Sequence, residues 1–308
     1  MKQRKESERG INMSKASDFI RSSWKESDAA RDAGLTTPED VVRYDDIVYG
    51  QDKEMQRLDV YRPKAEEGRT LPVIVSVHGG AWVYGDKELY QYYCMDLARR
   101  GFAVVNFTYR LAPEYKYPAM VEDTNSVFAW VLANAETYGF DLEHIFAVGD
   151  SAGAHNLAVY TCICTNPEYA AEYDFRTPEG FVPTALALNS GVYDMKAEID
   201  NPGSSLPKIL EDLFPEAGSE KELEQLHAAS HLTNKFPPVF LMTATEDFVR
   251  NQAPAFAAKL MEKEIPFELH FYGNANKKLG HVFHCNIRTA DAKKCNQEEC
   301  EFFRQFLS

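Results

Sequence analysis

The stretch that decides the fold is IFAVGDSAGAHNLAVYTCICT, residues 145–165. Its first part, Ile145–Val148, is a short apolar run typical of a buried strand, whereas Ala152–Thr165 has the periodicity of a helix. Between them Gly149 and Gly153 flank Ser151, so the chain passes from strand to helix through a sharp turn. A strand that leads directly into a helix is a building block of sheets that carry helices on both faces.

Apolar runs and amphipathic segments alternate along the rest of the chain. The further runs are Val73–Val77, Ala103–Phe107, Ala185–Leu188, Val239–Met242 and Phe267–Phe271, and the helical segments are Leu89–Arg100, Ala119–Tyr138 and Ala253–Glu264. Ile47–Tyr49 and Arg57–Tyr61 indicate a hairpin closed by the polar turn around Asp52. Continuous apolar strands between helices predict an α/β fold with a mostly parallel sheet of about eight strands.

Two regions lie outside this alternation. Residues 1–44 are polar, with a helical pattern over Ser14–Ala33 and the signature of a further helix start at Thr37–Asp40. Residues 195–237 interrupt the alternation between two strands, and such an insertion is expected over the carboxyl edge of the sheet. We predict one domain, residues 1–308, with 1–44 and 195–237 as a small helical cap; a solvated excursion without substrate contact is the alternative.

The composition excludes several classes of partner. The chain has 308 residues, 44% of them hydrophobic, and a formal net charge of −14 from 33 Lys and Arg against 47 Asp and Glu. This acidity disfavours nucleic acid and anionic membrane surfaces as partners. No apolar run reaches the length of a transmembrane helix, and residues 1–10 lack the apolar stretch of a signal peptide. We therefore predict a cytoplasmic protein with no membrane partner.

Cysteine and histidine spacing gives no metal site. The six cysteines are scattered and form no disulfide framework in a chain of this length. His281, His284, Cys285, Cys295 and Cys300 cluster near the end of the sequence, but their spacings match no zinc pattern. We predict that the chain holds neither a metal nor another cofactor.

Ser151 is the candidate nucleophile. A serine hydroxyl is a weak nucleophile until a base removes its proton, and a strand-to-helix turn exposes its Oγ. The same turn places a helix N-terminus beneath negative charge that develops there. An ordinary βα turn is the alternative interpretation of the same residues.

A second motif, His78-Gly79-Gly80-Ala81-Trp82, follows the apolar run Val73–Val77. A tetrahedral oxyanion needs two or more backbone N–H groups aimed at one point, and consecutive glycines present such groups without obstruction. We assign these donors to the amides of Gly79, Gly80 and Ala152. Taken alone, the motif is equally compatible with a tight turn.

These motifs resemble the hormone-sensitive-lipase-like, acetyl-esterase group of α/β-hydrolases. His78–Ala81 is similar to the group's HGGG motif, and Tyr109–Glu114 followed by Tyr117–Ala119 is similar to its YRLAPE…PA block. The GDSAG elbow and Thr243–Asp247 also fit, so the resemblance covers about residues 48–307. It implies the α/β-hydrolase fold and a carboxylesterase activity. The loop Asn274–Leu279 departs from the group's short turn.

The base and the acid complete a triad. His281 and His284 both follow the last strand, which matches the Ser…Asp…His chain order of this fold, and we prefer His281 because it follows Gly280 as the group's catalytic histidine does. Asp247 lies just beyond the run Val239–Met242, one strand before the His281 loop. Asp194, which follows Ala185–Leu188, is the competing acid.

The resulting hypothesis is a serine carboxylesterase that hydrolyses small short-acyl esters through Ser151, His281 and Asp247. Trp82 and Tyr84 follow the oxyanion glycines and are expected to line the acyl pocket. The resemblance also implies acetyl or feruloyl esters of plant carbohydrate as a substrate class. A non-catalytic small-molecule-binding protein and a serine peptidase are the alternatives. The last strand lies at a sheet edge, where two copies of the chain could pair as a homodimer.

Overall fold

One eight-stranded sheet lies at the centre of the computed structural model, which describes residues 14–307. Its strands are β1 Val41–Val48, β2 Arg57–Pro63, β3 Leu71–Val77, β4 Ala103–Phe107, β5 Phe140–Asp150, β6 Leu186–Asn189, β7 Val239–Ala244 and β8 Phe267–Tyr272. Their order across the sheet is β1-β2-β4-β3-β5-β6-β7-β8. The pairs β1–β2 and β2–β4 are antiparallel and all other neighbours are parallel, which confirms the predicted mostly parallel sheet.

Eleven α-helices connect these strands within residues 14–307. They are α1 Lys15–Asp32, α2 Lys87–Ala98, α3 Ala119–Ala133, α4 Ala135–Tyr138, α5 Ala152–Thr165, α6 Pro167–Ala170, α7 Met195–Ile199, α8 Leu210–Leu213, α9 Glu220–Gln225, α10 Gln252–Glu262 and α11 Ala290–Arg304. The predicted α5 has the observed bounds, and α2 and α10 differ from their predicted bounds by about two residues.

The core has two halves, one on each face of the sheet. Alternate side chains of a strand point to opposite faces. Val73, Val75 and Val77 of β3 accordingly pack with α3, α5 and α10, whereas Ile74 packs with α2 and α11. Helices therefore cover both faces, and β4, β6 and β7 are buried along their whole length, whereas the edge strands β1 and β8 include exposed residues.

Three local predictions are wrong. Thr37–Asp40 does not start a helix, because Val41 and Val42 pair with β2 and extend the predicted hairpin towards the N-terminus. The helix predicted over Ala119–Tyr138 is two helices, since the chain breaks at Asn134. The predicted strand Ile145–Val148 is too short, because β5 begins at Phe140.

The predicted cap regions differ in their structure. In the region 1–44, α1 is a long helix and Val41 already belongs to the sheet. Residues 1–13, which include the stretch 1–10 considered as a signal peptide and rejected, lie outside the described residues. Residues 195–237 form short helices, α7, α8 and α9, joined by irregular chain. β8 lies at an edge of the sheet, the position that the homodimer prediction requires. Between residues 14 and 307, no helix combines the length and apolarity needed to cross a membrane.

Candidate active site

The turn between β5 and α5 holds Ser151 in a conformation that few residues adopt. Ser151 has φ 52° and ψ −119°, a region that costs a non-glycine residue about 1–3 kcal/mol. A Cβ at Gly149 would lie 2.7 Å from the Gly153 carbonyl oxygen, and one at Gly153 would lie 2.0 Å from the Val77 carbonyl oxygen. Both flanking positions therefore require glycine. The Ser151 N–H donates to the Asn189 carbonyl over 2.9 Å, which fixes the turn against β6.

Ser151, His281 and Asp247 meet at the carboxyl edge of the sheet. His281 Nε2 lies 3.0 Å from Ser151 Oγ, and His281 Nδ1 lies 2.7 Å from Asp247 Oδ1. The three side chains thus form a continuous hydrogen-bonded chain across loops that follow β5, β7 and β8. A neutral imidazole in this arrangement can accept a proton from Ser151 on one nitrogen while its other nitrogen donates to Asp247.

Asp247 is buried, with 1% of its surface exposed. Thr243 Oγ1 donates to its Oδ2 over 3.0 Å, and the Val249 N–H donates to its Oδ1 over 3.1 Å. Burial by itself would raise the pKa of the Asp247 carboxyl, but the hydrogen bond and the charge of His281 lower it, and the net pKa is below the ordinary value. The carboxylate is therefore held in the charged form that stabilises an imidazolium.

Asp194, the competing acid, faces elsewhere. Its side chain accepts the N–H of Ala197 over 3.0 Å and caps the N-terminus of α7. The nearest histidine to its carboxylate is His227, at 3.9 Å. The structure therefore places Asp247, and not Asp194, against His281.

The other histidine considered as the base is unable to reach Ser151. His284, expected to begin the terminal helix, instead lies in a short 3-10 turn, Phe283–Cys285, and α11 begins only at Ala290. It is fully buried, and burial lowers its pKa to about 3. Its ring packs edge-on against Tyr93, on the side of the sheet that carries α2 and α11.

The amide of Gly79 is not free, so its assignment as an oxyanion donor is wrong. The Gly79 N–H donates to Asp150 Oδ1 and to the Tyr90 hydroxyl, each over 3.1 Å. Asp150 is buried, and burial, opposed by the hydrogen bond from Tyr90, raises its pKa to about 6. This carboxyl anchors the loop that carries the glycines.

The neighbouring amides remain unpaired within the described residues. Gly80 N–H and Ala81 N–H donate to no group there, and Ala152 is the first residue of α5, so its N–H has no intrahelical partner. Ala81 was not assigned from the sequence, although it occupies the third glycine position of the HGGG-like motif. Gly80 has φ +127°, and a Cβ there would lie 1.8 Å from the Tyr84 carbonyl oxygen.

Trp82 and Tyr84 are both engaged with other parts of the chain. The Trp82 indole is 4% exposed and donates to Asn156 Oδ1 over 3.1 Å. The Tyr84 hydroxyl donates to Asp28 Oδ2 over 2.9 Å, and its ring meets Trp24 of α1 edge-on. Tyr84 is half-buried, so of the two it presents more surface to a bound molecule.

Sequence reasoning missed Phe248, which follows Asp247 directly. Its ring centroid lies 4.3 Å from that of His281, and 45% of its surface is exposed. The adjacency to Asp247 was the available signal.

The divergent loop Asn274–Leu279 is closed by hydrogen bonds between Asn274 and Lys277. It is bound to the segment before Asp247, because the Glu246 N–H donates to the Leu279 carbonyl over 2.8 Å. In residues 14–307 no group of three or more His, Cys, Asp or Glu side chains is arranged to hold a metal ion.

Comparisons with known proteins agree with this fold. The chain is 30% identical over 222 residues to esterase LipC of Mycobacterium tuberculosis (strain ATCC 25618 / H37Rv), covering 70% of this chain and 54% of LipC. It is 39% identical over 208 residues to isoprenylcysteine alpha-carbonyl methylesterase ICME of Arabidopsis thaliana, covering 66% of this chain and 48% of that protein. The chain thus spans about half the length of these relatives.

Solved structures are similar over nearly the whole chain. Esterase B from Lactobacillus Rhamnosis (HN001) superposes with a TM-score of 0.85 at 26% identity, covering 94% of this chain and 95% of that one. The same esterase has been solved inhibited by a C4-C4 tributyrin phosphonate. The BD-FAE family model matches residues 58–260, more than half of the 308 residues. The resemblance to hormone-sensitive-lipase-like esterases is therefore confirmed, and the chain belongs to the BD-FAE family, with the fold of α/β-hydrolase esterases.

Proposed function

We propose that the chain is a carboxylic ester hydrolase in which Ser151 is the nucleophile, His281 the general base and Asp247 the residue that orients the imidazole. The observation that carries the proposal is the continuous hydrogen-bonded chain from Asp247 through His281 to Ser151. The esterase names of the relatives at 30% and 39% identity support the same reaction class.

The mechanism follows from this geometry. His281 removes the Ser151 proton as Oγ attacks the ester carbonyl, and Asp247 stabilises the imidazolium that forms. The imidazolium then returns the proton to the departing alcohol oxygen, which leaves an acyl-enzyme. Water activated by His281 attacks the acyl-enzyme, the carboxylic acid leaves, and Ser151 regains its proton. No cofactor takes part in these steps.

The amides of Gly80, Ala81 and Ala152 are the proposed oxyanion donors. They are the unpaired N–H groups of the glycine loop and of the residue after the nucleophile, the two places from which this fold draws such donors. Asp150 holds the loop in place by accepting the Gly79 N–H. A charged tetrahedral oxygen then forms its hydrogen bonds with groups that need no rearrangement.

We further propose a short acyl group. The phosphonate that inhibits esterase B is a C4-C4 tributyrin phosphonate, and the half-buried Tyr84, four residues after Gly80, is held by its hydrogen bond to Asp28. Of the acetyl and feruloyl esters that the resemblance implies, acetyl esters fit a short acyl pocket, whereas the bulky aromatic feruloyl group does not. With p-nitrophenyl esters, we expect acetate to butyrate to be cleaved far faster than decanoate. A preference for decanoate would contradict the short acyl pocket.

Replacing the nucleophile tests the reaction class. Ser151→Ala is expected to lower kcat by about 10⁶, the loss typical of a serine nucleophile, with an unchanged circular dichroism spectrum. A fluorophosphonate probe should label the wild type and not Ser151→Ala. An unlabelled wild type that still binds an ester analogue would indicate the non-catalytic binding protein, and cleavage of peptides faster than esters would indicate the peptidase.

A further inference from the structure

Phe248 is an exposed aromatic side chain in direct contact with the proposed base. Its ring centroid lies 4.3 Å from that of His281, with an angle of 44° between the ring planes. The residue Phe248 is 45% exposed, and the side chain of His281 is 19% exposed. Ligand sites are lined mainly by hydrophobic and aromatic side chains, and an exposed ring beside a reacting group is available to contact a bound molecule. This ring therefore forms part of the wall next to the triad.

The reaction mechanism determines which part of the ester lies next to the Phe248 ring. His281 has to return its proton to the alcohol oxygen, so the alcohol part of the ester must lie against the imidazole when the acyl-enzyme forms. The carbonyl oxygen lies at the oxyanion amides, on the side of Gly80 and Ala152. A ring packed on His281 is accordingly next to the alcohol part and not next to the acyl chain.

We propose that Phe248 determines the specificity for the alcohol part of the substrate and selects esters of apolar or aromatic alcohols. The inference rests on the proposed function, because it uses the proton transfer from His281. A benzyl or alkyl alcohol buries its surface against the Phe248 ring, and an aromatic alcohol adds a ring–ring contact. A small polar alcohol gains neither.

The cap controls how this ring is presented. Asn201, in the chain that follows α7, donates from Nδ2 to the Phe248 carbonyl over 2.9 Å, and its Oδ1 accepts the Gly203 N–H over 3.1 Å. Asn201 Nδ2 also lies 3.3 Å from an oxygen of Glu198, which is 3% exposed. Asn201 is thus a positioning residue through which residues 195–237 hold the backbone of Phe248.

Two series of esters separate the alcohol part from the acyl part. The first series varies the alcohol part and keeps the acyl group constant. It consists of ethyl, butyl and benzyl acetate, whose alcohols have similar leaving ability. The second varies the acyl group at constant alcohol, as ethyl acetate, butyrate and hexanoate. The enzymes are the wild type, Phe248→Ala, Phe248→Leu and the control Phe19→Ala, which removes a ring of α1 that is 67% exposed.

We expect Phe248→Ala to lower the benzyl-to-ethyl ratio of kcat/KM about tenfold, the loss of one aromatic contact. Phe248→Leu should keep the butyl-to-ethyl ratio and lower the benzyl-to-ethyl ratio. Neither variant should change the butyrate-to-acetate ratio by more than about twofold, a change of about 0.4 kcal/mol. Phe19→Ala should behave as the wild type in both series.

The proposal and the proposed function fail differently. A changed acyl ratio with an unchanged alcohol ratio would place Phe248 on the acyl side, and two unchanged ratios would remove it from the specificity wall. If Phe248→Ala does not fold, the ratios of Phe248→Leu decide between these outcomes. A wild type that cleaves no ester of either series, or a Ser151→Ala variant that still does, would instead overturn the proposed function.

Discussion

The nucleophile turn and the cap are held in place by different kinds of contact. Around Ser151 the constraints are steric and involve the backbone: a Cβ at Gly153 would meet the Val77 carbonyl at 2.0 Å, and the Ser151 N–H is bonded to β6. Packing of this kind allows almost no displacement. The position of Oγ is therefore set by the sheet itself.

The predicted cap, residues 1–44 and 195–237, is held by side chains, both apolar ones such as Ile20, Ile209 and Phe214, which belong to the core, and polar ones. Asp212 of α8 accepts hydrogen bonds from the hydroxyls of Ser14 and Ser17, at the N-terminus of α1. In the middle of α1, Arg21 pairs with Glu114 over 2.6 Å and donates to the Val83 carbonyl over 2.7 Å. The Arg21–Glu114 pair is partly exposed and contributes little stability by itself, whereas the Asp212 carboxylate and Ser17 are buried. Substitutions near the turn should therefore abolish catalytic activity, whereas substitutions in the predicted cap should change stability and substrate selectivity.

The largest test of this difference compares two aspartates, one in each region. Asp247→Asn keeps the side-chain shape but favours the wrong tautomer of His281, and we expect kcat to fall by about 10⁴. Asp194→Asn keeps an oxygen that can cap α7 and should change kcat by less than about tenfold, a change of about 1.4 kcal/mol in the barrier. Steady-state kinetics of both variants, with circular dichroism to verify folding, gives the answer. The reverse pattern would move the acid to Asp194.

A second test uses two glycines that both have positive φ. At Gly80, with φ +127°, an added Cβ would lie 1.8 Å from the Tyr84 carbonyl and would displace a proposed oxyanion donor. Gly80→Ala should therefore lower kcat by about 10²–10³, the loss of one such donor. The matched control is Gly34→Ala, with φ +78° and open space around the added Cβ. It should cost about 1 kcal/mol of stability and leave kcat unchanged.

Full activity in Gly80→Ala, measured on a protein that melts as the wild type does, would contradict the assignment of the oxyanion donors. The same loss of activity in Gly34→Ala would show that positive φ alone, and not the clash in the glycine loop, disturbs the enzyme. Together the two variants separate backbone strain from the loss of a donor.

The nucleophile turn could be predicted from the sequence better than the contacts of the predicted cap. The turn and α5 were predicted with the observed bounds, and the predicted strand Ile145–Val148 lies within the longer β5, because their signals are local: an apolar run, two glycines and a helical period. Asp247 and His281 could be proposed because chain order in this fold limits where an acid and a base can stand. Their contact joins residues that are 34 positions apart, yet both loops end at one edge of the sheet.

What the sequence did not indicate depends on contacts between distant segments. From the sequence, the Gly79 amide was assigned as an unpaired donor. In the fold its N–H donates to Asp150, which lies 71 positions away in the sequence. The bond between Ser14 and Asp212 spans 198 positions, and no local pattern marks either residue as a partner. Phe248 is similar, because its exposure is decided by how residues 195–237 pack beside it. Short polar helices have weak periodicity, so their packing cannot be derived from the pattern alone.

The smallest expected effect comes from loosening the cap at Asp212. Asp212 Oδ2 accepts hydrogen bonds from the hydroxyls of Ser14 and Ser17, at the N-terminus of α1. Asp212→Asn replaces this carboxylate by a neutral amide and therefore removes charge-assisted hydrogen bonds. We expect a loss of about 2 kcal/mol of stability, which lowers the Tm by about 5 °C in a protein of this size. The matched control is Glu211→Gln, an exposed neighbour in the same helix, which should leave the Tm unchanged.

For ethyl acetate, kcat of Asp212→Asn should change by less than about tenfold, because the triad and the glycine loop are held by other contacts. The benzyl-to-ethyl ratio should move more than kcat does, since α8 belongs to the segment that also holds Phe248. Differential scanning calorimetry and the ester series measure the two quantities separately. A loss of kcat comparable to that of Asp247→Asn, with no change in Tm, would mean that the cap takes part in the chemistry and that the division between the two regions is wrong.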